Sequence, residues 1–267
     1  MKIIDLRNIN WCSIELGHLD GVLPKSILFD KGRKLFLKLG SYTKYYGFYG
    51  VEPIIEVINS RIGKILGLSI LKYDIQKAVV VLNGKEIETF VCISQDYAKD
   101  VKQISFEKFY ESMALPEESI IAFCKRMGII DDIYNQIVFD YVICNLDRHG
   151  KNTEILVSKE GKISVAPFFD NSLTYVTNRP IIDIKSNKKF NDDLRVNNYI
   201  GVQNLRDNLF FIDSNIKIRS PRKEDREILF KGLGGVTTRE FRDYVWNLFI
   251  ERVANVKQSG IPFIQWY

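Results

Sequence analysis

Short apolar runs separated by turn signals predict a strand-rich region up to residue 95. One hairpin turn is predicted at Asp30-Lys31-Gly32-Arg33 and a second at Asn83-Gly84, a dipeptide typical of two-residue hairpin loops. Between them, apolar residues recur at helical spacing over Pro53–Leu66, and Gly67 follows as a C-cap. The strands are predicted at Ser26–Phe29, Lys34–Leu39, Val79–Leu82 and Ile87–Ser94.

After residue 104 the periodicity becomes helical, so we predict an α+β fold whose second part is mainly helices. Asp131 or Asp132 is the expected N-cap of one helix, and Thr237-Thr238-Arg239-Glu240 is a capping box for the last. A hairpin is predicted at 154–166, and the polar residues 176–222 predict a long loop. The helices are predicted at Glu118–Met127, at Asp131–Cys144 and from the capping box through about Val256.

Length and composition restrict the class of protein only broadly. A chain of 267 residues suits one two-lobed domain or two small domains, and we predict one domain, 1–267, with lobes 1–95 and 96–267. The net charge of +5 is too small to identify a partner. The scattered cysteines form no CxxC pair, which argues against a thiolate metal site or a disulfide framework. Neither a secretory signal nor a membrane span is apparent, so we expect a cytoplasmic protein, although secretion by a signal-less route remains open.

The chemistry is concentrated in two stretches, Asn145–Asn152 and Ala166–Asp170. A predicted helix leads into the first, and a predicted hairpin joins it to the second. Helix, polar loop, hairpin and carboxylate form the supersecondary layout of a kinase catalytic centre. Phosphoryl transfer requires mainly positioning and neutralisation of charge, which this set of residues can supply.

Each polar residue has a physical role in that interpretation. Asp147 can accept or orient the proton of an attacking hydroxyl group, and His149 is expected to hydrogen-bond the loop in place. Asn152 and Asp170 offer the hard oxygen ligands that Mg²⁺ prefers. Lys151 could steady the γ-phosphate or the Asp147 carboxylate.

Lys38 lies within an apolar strand, where an ammonium group is costly unless it is paired. Glu56, on an otherwise apolar helix, is the natural partner. Nucleotide phosphates could share the same ammonium group.

These residues resemble the HipA-like serine/threonine kinases, in particular their compact CtkA-like branch. The catalytic loop of that family has the pattern Asn-x-Asp-x-His-x-Lys-Asn, and residues 145–152 meet every fixed position. The metal-binding Asp of the family follows Pro and two apolar or aromatic residues, and Asp170 here follows Pro167 and two Phe residues. The resemblance extends over most of residues 20–175 and implies a two-lobed protein-kinase-like fold.

The resemblance also implies nucleotide contacts. Gly21–Lys25 looks like the phosphate-binding turn, Lys38 the nucleotide-anchoring Lys and Glu56 its helix partner. Cys92 and Ser94 lie in a segment that resembles the hinge, whose backbone meets adenine. The implied activity is transfer of the γ-phosphate of ATP, with Mg²⁺, to a serine or threonine hydroxyl of a protein, under possible control by an antitoxin-like regulator.

Other functions stay open at this stage. A lipid or small-molecule kinase would use the same residues, whereas an inactive kinase fold could serve as a binding module. The basic stretch Lys217–Lys223 is the best support for nucleic-acid binding, but such a stretch is more often a solvated or substrate-facing surface. Direct contact with nucleic acid is therefore not our expectation.

Overall fold

Two tight turns organise the N-terminal part of the chain. In the computed structural model, both central residues of each turn have positive φ, at Lys31 (48°) and Gly32 (77°) and at Asn83 (50°) and Gly84 (73°). Type I′ turns require this conformation and match the twist of the flanking strands. Both predicted hairpins are confirmed, and the second is longer than expected.

The structure describes residues 2–11, 23–43, 47–48, 50–174, 176–177, 194–213, 216 and 218–261. The chain divides into two compact units, one formed by Met1–Ser60 with Leu71–Tyr97 and the other by Arg61–Ile70 with Ala98–Tyr267. The strands of the first unit are β1 (Ile3–Leu6), β2 (Lys25–Asp30), β3 (Arg33–Lys38), β4 (Tyr42–Thr43), β5 (Gly47–Phe48), β6 (Tyr73–Leu82) and β7 (Lys85–Gln95). Helix α1 (Glu52–Ile65) begins in this unit, and its last residues belong to the second.

The first unit is built on a five-stranded sheet in the order β1-β6-β7-β3-β2. Only the β1–β6 pair within this sheet is parallel. Side chains alternate between the two faces of a strand, so Leu37 and Lys38 point to opposite sides. One face carries a buried apolar cluster of Leu6, Leu37, Leu39, Ala78, Val80 and Val91. The opposite face presents Lys38 to α1, the helix predicted at 53–66 and confirmed here.

Helices dominate the second unit. Its elements are β8 (Lys102–Ser105), α2 (Phe106–Met113), α3 (Ile120–Arg126), α4 (Ile130–Ile143), β9 (Asp147–Arg148), β10 (Glu154–Val157), β11 (Ile163–Val165), β12 (Asn197–Asn198), a 3₁₀ helix (Asp207–Phe211), α5 (Asp225–Phe230) and α6 (Arg239–Gln258). A small antiparallel sheet has the order β11-β10-β8, and β12 pairs in parallel with β9. The predicted 154–166 hairpin is therefore confirmed.

Helix α4 is the buried centre of this unit, and α6 packs against it. The fully buried guanidinium group of Arg252 donates to the Tyr141 carbonyl at 3.0 and 2.9 Å and lies 3.5 Å from the centre of its ring. Cys124 and Cys144 are buried core residues, as predicted, and burial raises the pKa of the Cys124 thiol to about 12, with a smaller contribution from Glu118. Among the helices in the described part of the chain, none combines the length and apolarity needed to cross a bilayer.

Some expected boundaries were wrong. The N-cap of α4 is Ile129, and Asp131 and Asp132 lie in its first turn, where carboxylates interact favourably with the helix dipole. The predicted capping box begins at Thr237, but the N-cap of α6 is the next residue, Thr238, whose hydroxyl accepts from Phe241 N at 3.1 Å. The long loop predicted at 176–222 contains β12 and the 3₁₀ helix in its described part. The strand β12 and the 3₁₀ helix are too short to show a periodic pattern in the sequence.

Candidate active site

The loop that carries the sequence motif begins where α4 ends. Cys144 adopts a left-handed conformation (φ 56°), which turns the chain back on the helix. Asn145 then donates its backbone N–H to the Asp140 carbonyl (2.9 Å) and its side-chain amide to Asp140 Oδ1 (2.8 Å). Its Oδ1 accepts from Asp147 N at 3.1 Å. One amide side chain therefore fixes both the exit from the helix and the entry to Asp147.

Arg148 joins three segments around this loop through one buried guanidinium group. It binds the buried Asp140 carboxylate through Nε and Nη2, at distances of 2.8 to 3.2 Å. Its Nη1 donates to the carbonyls of Asn152 (2.7 Å) and Phe169 (3.0 Å), and Nη2 donates to Asn171 Oδ1 (2.6 Å). The loop and the residues on both sides of position 170 are consequently held to the same cation.

The Asp147 carboxylate is half-buried and oriented from one side. Its Oδ1 accepts from Asn197 Nδ2 at 2.7 Å. Its Oδ2 lies 3.9 Å from His149 Nε2, beyond the range of a hydrogen bond. One oxygen atom is thus held by a short hydrogen bond, and Oδ2 is the candidate to accept a proton or a hydrogen bond from a substrate.

The residues predicted to bind metal fit that role chemically. The amide nitrogen of buried Asn152 donates to the Asp147 carbonyl at 2.9 Å, so the amide oxygen is the atom that could serve as a metal ligand. Asp170 supplies an anionic oxygen from a left-handed position (φ 52°) between residues bound by Arg148. An amide oxygen and a carboxylate are suitable ligands for Mg²⁺. The described residues contain no cluster of three or more His, Cys, Asp or Glu side chains suited to a metal, so phosphates and water would have to complete such a site.

His149 and Lys151 occupy the same turn. His149 Nδ1 accepts from the backbone N–H of Lys151 at 3.2 Å, and the His149 carbonyl accepts from Asn152 N at 2.9 Å. With Nδ1 acting as acceptor, a neutral imidazole carries its proton on Nε2. Lys151 is exposed at this turn. Their proposed roles stay predictions.

Gly150 is required at its position by close packing. A Cβ atom there would lie 2.6 Å from Glu107 Cβ and 3.1 Å from Tyr199 Cγ. Tyr199 is itself held by an edge-to-face contact with Phe106, with ring centres 6.1 Å apart. Burial raises the pKa of Tyr199, and nearby carboxylates including Glu107 add to the effect. The turn between His149 and Lys151 therefore fits only a residue without a side chain.

In the first unit, Lys38 and Glu56 form the predicted pair. Lys38 Nζ lies 3.3 Å from Glu56 Oε2, and the side chains are 11% and 0% exposed. One turn earlier on α1, the buried Glu52 carboxylate accepts from the backbone N–H of Ser41 at 3.0 Å and from its hydroxyl group. Two carboxylates, four residues apart, thus fix the register of α1 against the end of β3.

The remaining predicted nucleotide residues lie on the same face of the sheet. Lys25 and Cys92 are the register partners of Lys38 on β2 and β7, and Ser94 pairs with Phe36 two positions away. Cys92 and Ser94 lie inside the sheet, with register partners on both neighbouring strands, so a hinge contact through their backbone stays a prediction. Of the predicted phosphate-binding turn, residues 21 and 22 lie outside the described residues.

The sequence interpretation missed three residues that organise the site: Asp140, Arg148 and Asn197. Asp140 had a usable signal, because a carboxylate on the buried side of a helix needs a partner. Arg148 follows Asp147 directly, yet nothing in the sequence indicates that it turns inward. Asn197 gave no signal at all.

Comparison with one solved structure supports the fold. The Helicobacter pylori proinflammatory kinase CtkA aligns with a TM-score of 0.61 and 13% identity over 97% of both chains. HipA from Shewanella oneidensis MR-1, in a toxin–antitoxin complex with HipB and operator DNA, aligns at 0.43 and 15% identity over 91% of this chain and 57% of its own. Hydra Fam20 with sugar aligns at 0.45 and 9% identity, over 93% and 87%. No protein-family model and no curated protein matches the chain.

The chain has a protein-kinase-like α+β fold, as the sequence predicted. The first unit provides the strand-rich sheet with one helix, and the second provides the helices and the motif loop. At these identities the likeness concerns the fold alone.

Proposed function

We propose that this protein is an ATP- and Mg²⁺-dependent serine/threonine protein kinase of the HipA-like type. The observation that carries the proposal is the arrangement of Asp147 beside Asn152. The Asp147 carboxylate is held through one oxygen, and its backbone carbonyl fixes the Asn152 amide. A catalytic carboxylate and a metal-facing amide are thus supported by the same short loop, whose sequence also fits the HipA-like pattern.

In the proposed reaction, the acceptor hydroxyl donates its hydrogen bond, and then its proton, to the Asp147 carboxylate. The acceptor oxygen forms a bond to the γ-phosphorus of ATP, the bond from that phosphorus to the bridging oxygen breaks, and ADP leaves. Bound Mg²⁺ would neutralise phosphate charge, with Asn152 and Asp170 as its protein ligands. The exposed Lys151 ammonium group would attract the transferred phosphate.

The first unit would supply the nucleotide anchor. The Lys38 ammonium group, held by Glu56, would contact phosphates and offset part of their charge. Lys25, its register partner, adds a second cation on the same face of the sheet. Contacts of Cys92 and Ser94 with adenine belong to the same proposal.

The substrate and the partner rest on the resemblance. The Helicobacter protein is named a kinase, which supports phosphotransfer, and the HipA complex includes HipB, which motivates the proposal of an antitoxin-like regulator. Arg219, from the basic stretch, is paired with Asp225 at 3.2 Å, and this favours an intramolecular role for that arginine over contact with nucleic acid. Lipid or small-molecule acceptors, and a catalytically silent binding module, are the competing outcomes of the test.

The test uses Asp147→Asn, a nearly isosteric change. We expect Mg²⁺-ATP to bind the variant with wild-type affinity by calorimetry, because Asn152 and Asp170 remain. Transfer of labelled γ-phosphate to casein or to the protein itself should fall by roughly 10²- to 10⁴-fold. Full activity of the variant would refute the assignment of Asp147. If the wild type binds ATP but labels no protein, a transfer assay with lipid and small alcohols distinguishes another kinase from a binding module.

A further inference from the structure

Strand β12 lies along the motif loop and brings a distant polar side chain to it. Asn197 N donates to the Leu146 carbonyl at 2.9 Å, and Tyr199 N donates to the Arg148 carbonyl at 3.0 Å. This parallel pairing places Asn197 opposite Asp147. The backbone of the strand therefore determines where the Asn197 side chain can reach.

The side chain of Asn197 acts on the carboxylate itself. Its Nδ2 donates to Asp147 Oδ1 at 2.7 Å, the short distance of a hydrogen bond to a charged acceptor. A hydrogen bond to one oxygen restricts the rotation of the carboxylate about the Cβ–Cγ bond. Oδ2, which is 3.9 Å from His149 Nε2, then has one preferred direction in which to receive a proton.

We propose that Asn197 is a positioning residue that orients Asp147 for phosphoryl transfer, an inference that rests on the proposed function. Asn197 contacts neither the Asn152 side chain nor Lys38 in the contacts described above. Its effect should therefore appear in the transfer step and leave nucleotide binding unchanged.

The strand has anchors that do not depend on the Asn197 side chain. The backbone N–H groups of Asn197 and Tyr199 donate to the Leu146 and Arg148 carbonyls, and the Tyr199 ring packs against Gly150 and Phe106. Removing the exposed Asn197 amide should thus leave the strand in place, which makes Asn197→Ala a clean perturbation. Asn198→Ala is the matched control, because the Asn198 amide donates to the nearby Ile200 carbonyl at 2.9 Å, whereas the bond to Asp147 comes from Asn197.

The experiment measures kcat and the KM for ATP with casein as acceptor, together with Mg²⁺-ATP affinity by calorimetry. Asn197→Ala should lower kcat by about 10- to 100-fold, the range for one hydrogen bond to a charged group, with KM and affinity unchanged. Asn197→Asp, which keeps the shape but sets a second carboxylate against Asp147, should lose at least as much. Asn198→Ala should stay within about twofold of the wild type.

A double variant distinguishes positioning from a general structural effect. In the Asp147→Asn background, Asn197→Ala should cause little additional loss, since the carboxylate that it orients is already absent. Three outcomes would overturn the inference but leave the proposed function intact. They are equal kcat values for wild type and Asn197→Ala, equal losses in the Asn197 and Asn198 variants, and full additivity with Asp147→Asn. A wild type that binds Mg²⁺-ATP yet transfers no phosphate would overturn the proposed function, and the inference with it.

Discussion

Replacing Arg148 with Met should destabilise the second unit because Arg148 is the buried cation to which the motif loop is attached. The change leaves the Asp140 carboxylate, 8% exposed, without its ion-pair partner. Breaking a buried ion pair from one side costs about 3–5 kcal/mol. The carbonyls of Asn152 and Phe169 also lose a donor, but these losses overlap with the first and do not simply add. The expected loss of stability is therefore about 3–5 kcal/mol.

Thermal unfolding converts this figure into a measurement. At roughly 2–4 °C per kcal/mol, the melting temperature should fall by about 6–20 °C. Arg195→Met is the matched control, because Arg195 is exposed and bonds only the Gln203 side chain in the contacts described for it. Its melting temperature should stay close to that of the wild type.

A partner substitution tests the cause. Asp140→Asn removes the buried charge, so the double variant of Arg148→Met and Asp140→Asn should be more stable than the sum of the two single losses predicts. If Arg148→Met melts with the Arg195 control, or if the two single losses add fully, the guanidinium group does not organise the loop as described. Magnesium-ATP affinity of the Arg148 variant, measured below its melting transition, should also be weaker because Asn152 and the residues beside position 170 lose a common anchor.

Three further substitutions probe other parts of the candidate site. Asp170→Ala should abolish Mg²⁺-dependent ATP binding in calorimetry, and unchanged affinity would exclude it as a metal ligand. Lys38→Met should lower both activity and thermal stability, because the buried Glu56 loses its ammonium partner. Adding Glu56→Gln should restore stability but not activity. Recovery of both would contradict a nucleotide anchor at Lys38. Gly150→Ala should lower transfer activity and the melting temperature, since its Cβ would approach Glu107 Cβ to 2.6 Å, whereas alanine at Gly234, where a Cβ meets no atom within 4 Å, should be tolerated.

Local chemistry explains what the sequence could predict. The turn at Asn83-Gly84 specifies its own conformation, because few residues adopt positive φ readily. The apolar period of α1 predicts its buried face without reference to any partner. The motif of residues 145–152 could be recognised for a similar reason. Its polar residues lie on one short loop, so spacing along the chain keeps them near one another wherever the loop is placed.

The pairing of Lys38 on the sheet with Glu56 on α1 is an intermediate case. A lysine in an apolar strand calls for a carboxylate, so Lys38 and Glu56 could be matched from their burial requirements alone. Their separation of 3.3 Å agrees with that expectation. The register that aligns Lys25 and Cys92 with Lys38 could not be derived, because it depends on how three strands associate.

Only the tertiary structure decided which groups orient Asp147 and support its loop. Asn197 is 50 residues from Asp147 in the chain and reaches it from a two-residue strand, which is too short to leave a pattern in the sequence. Arg148 turns inward because Asp140, eight residues earlier on α4, is buried beneath it. The sequence by itself determined the turns, the main helices and the chemical inventory of the loop, because these depend on local backbone preference. The orientation of the Asp147 carboxylate depends on contacts between distant segments, and such contacts exist only once the chain has packed.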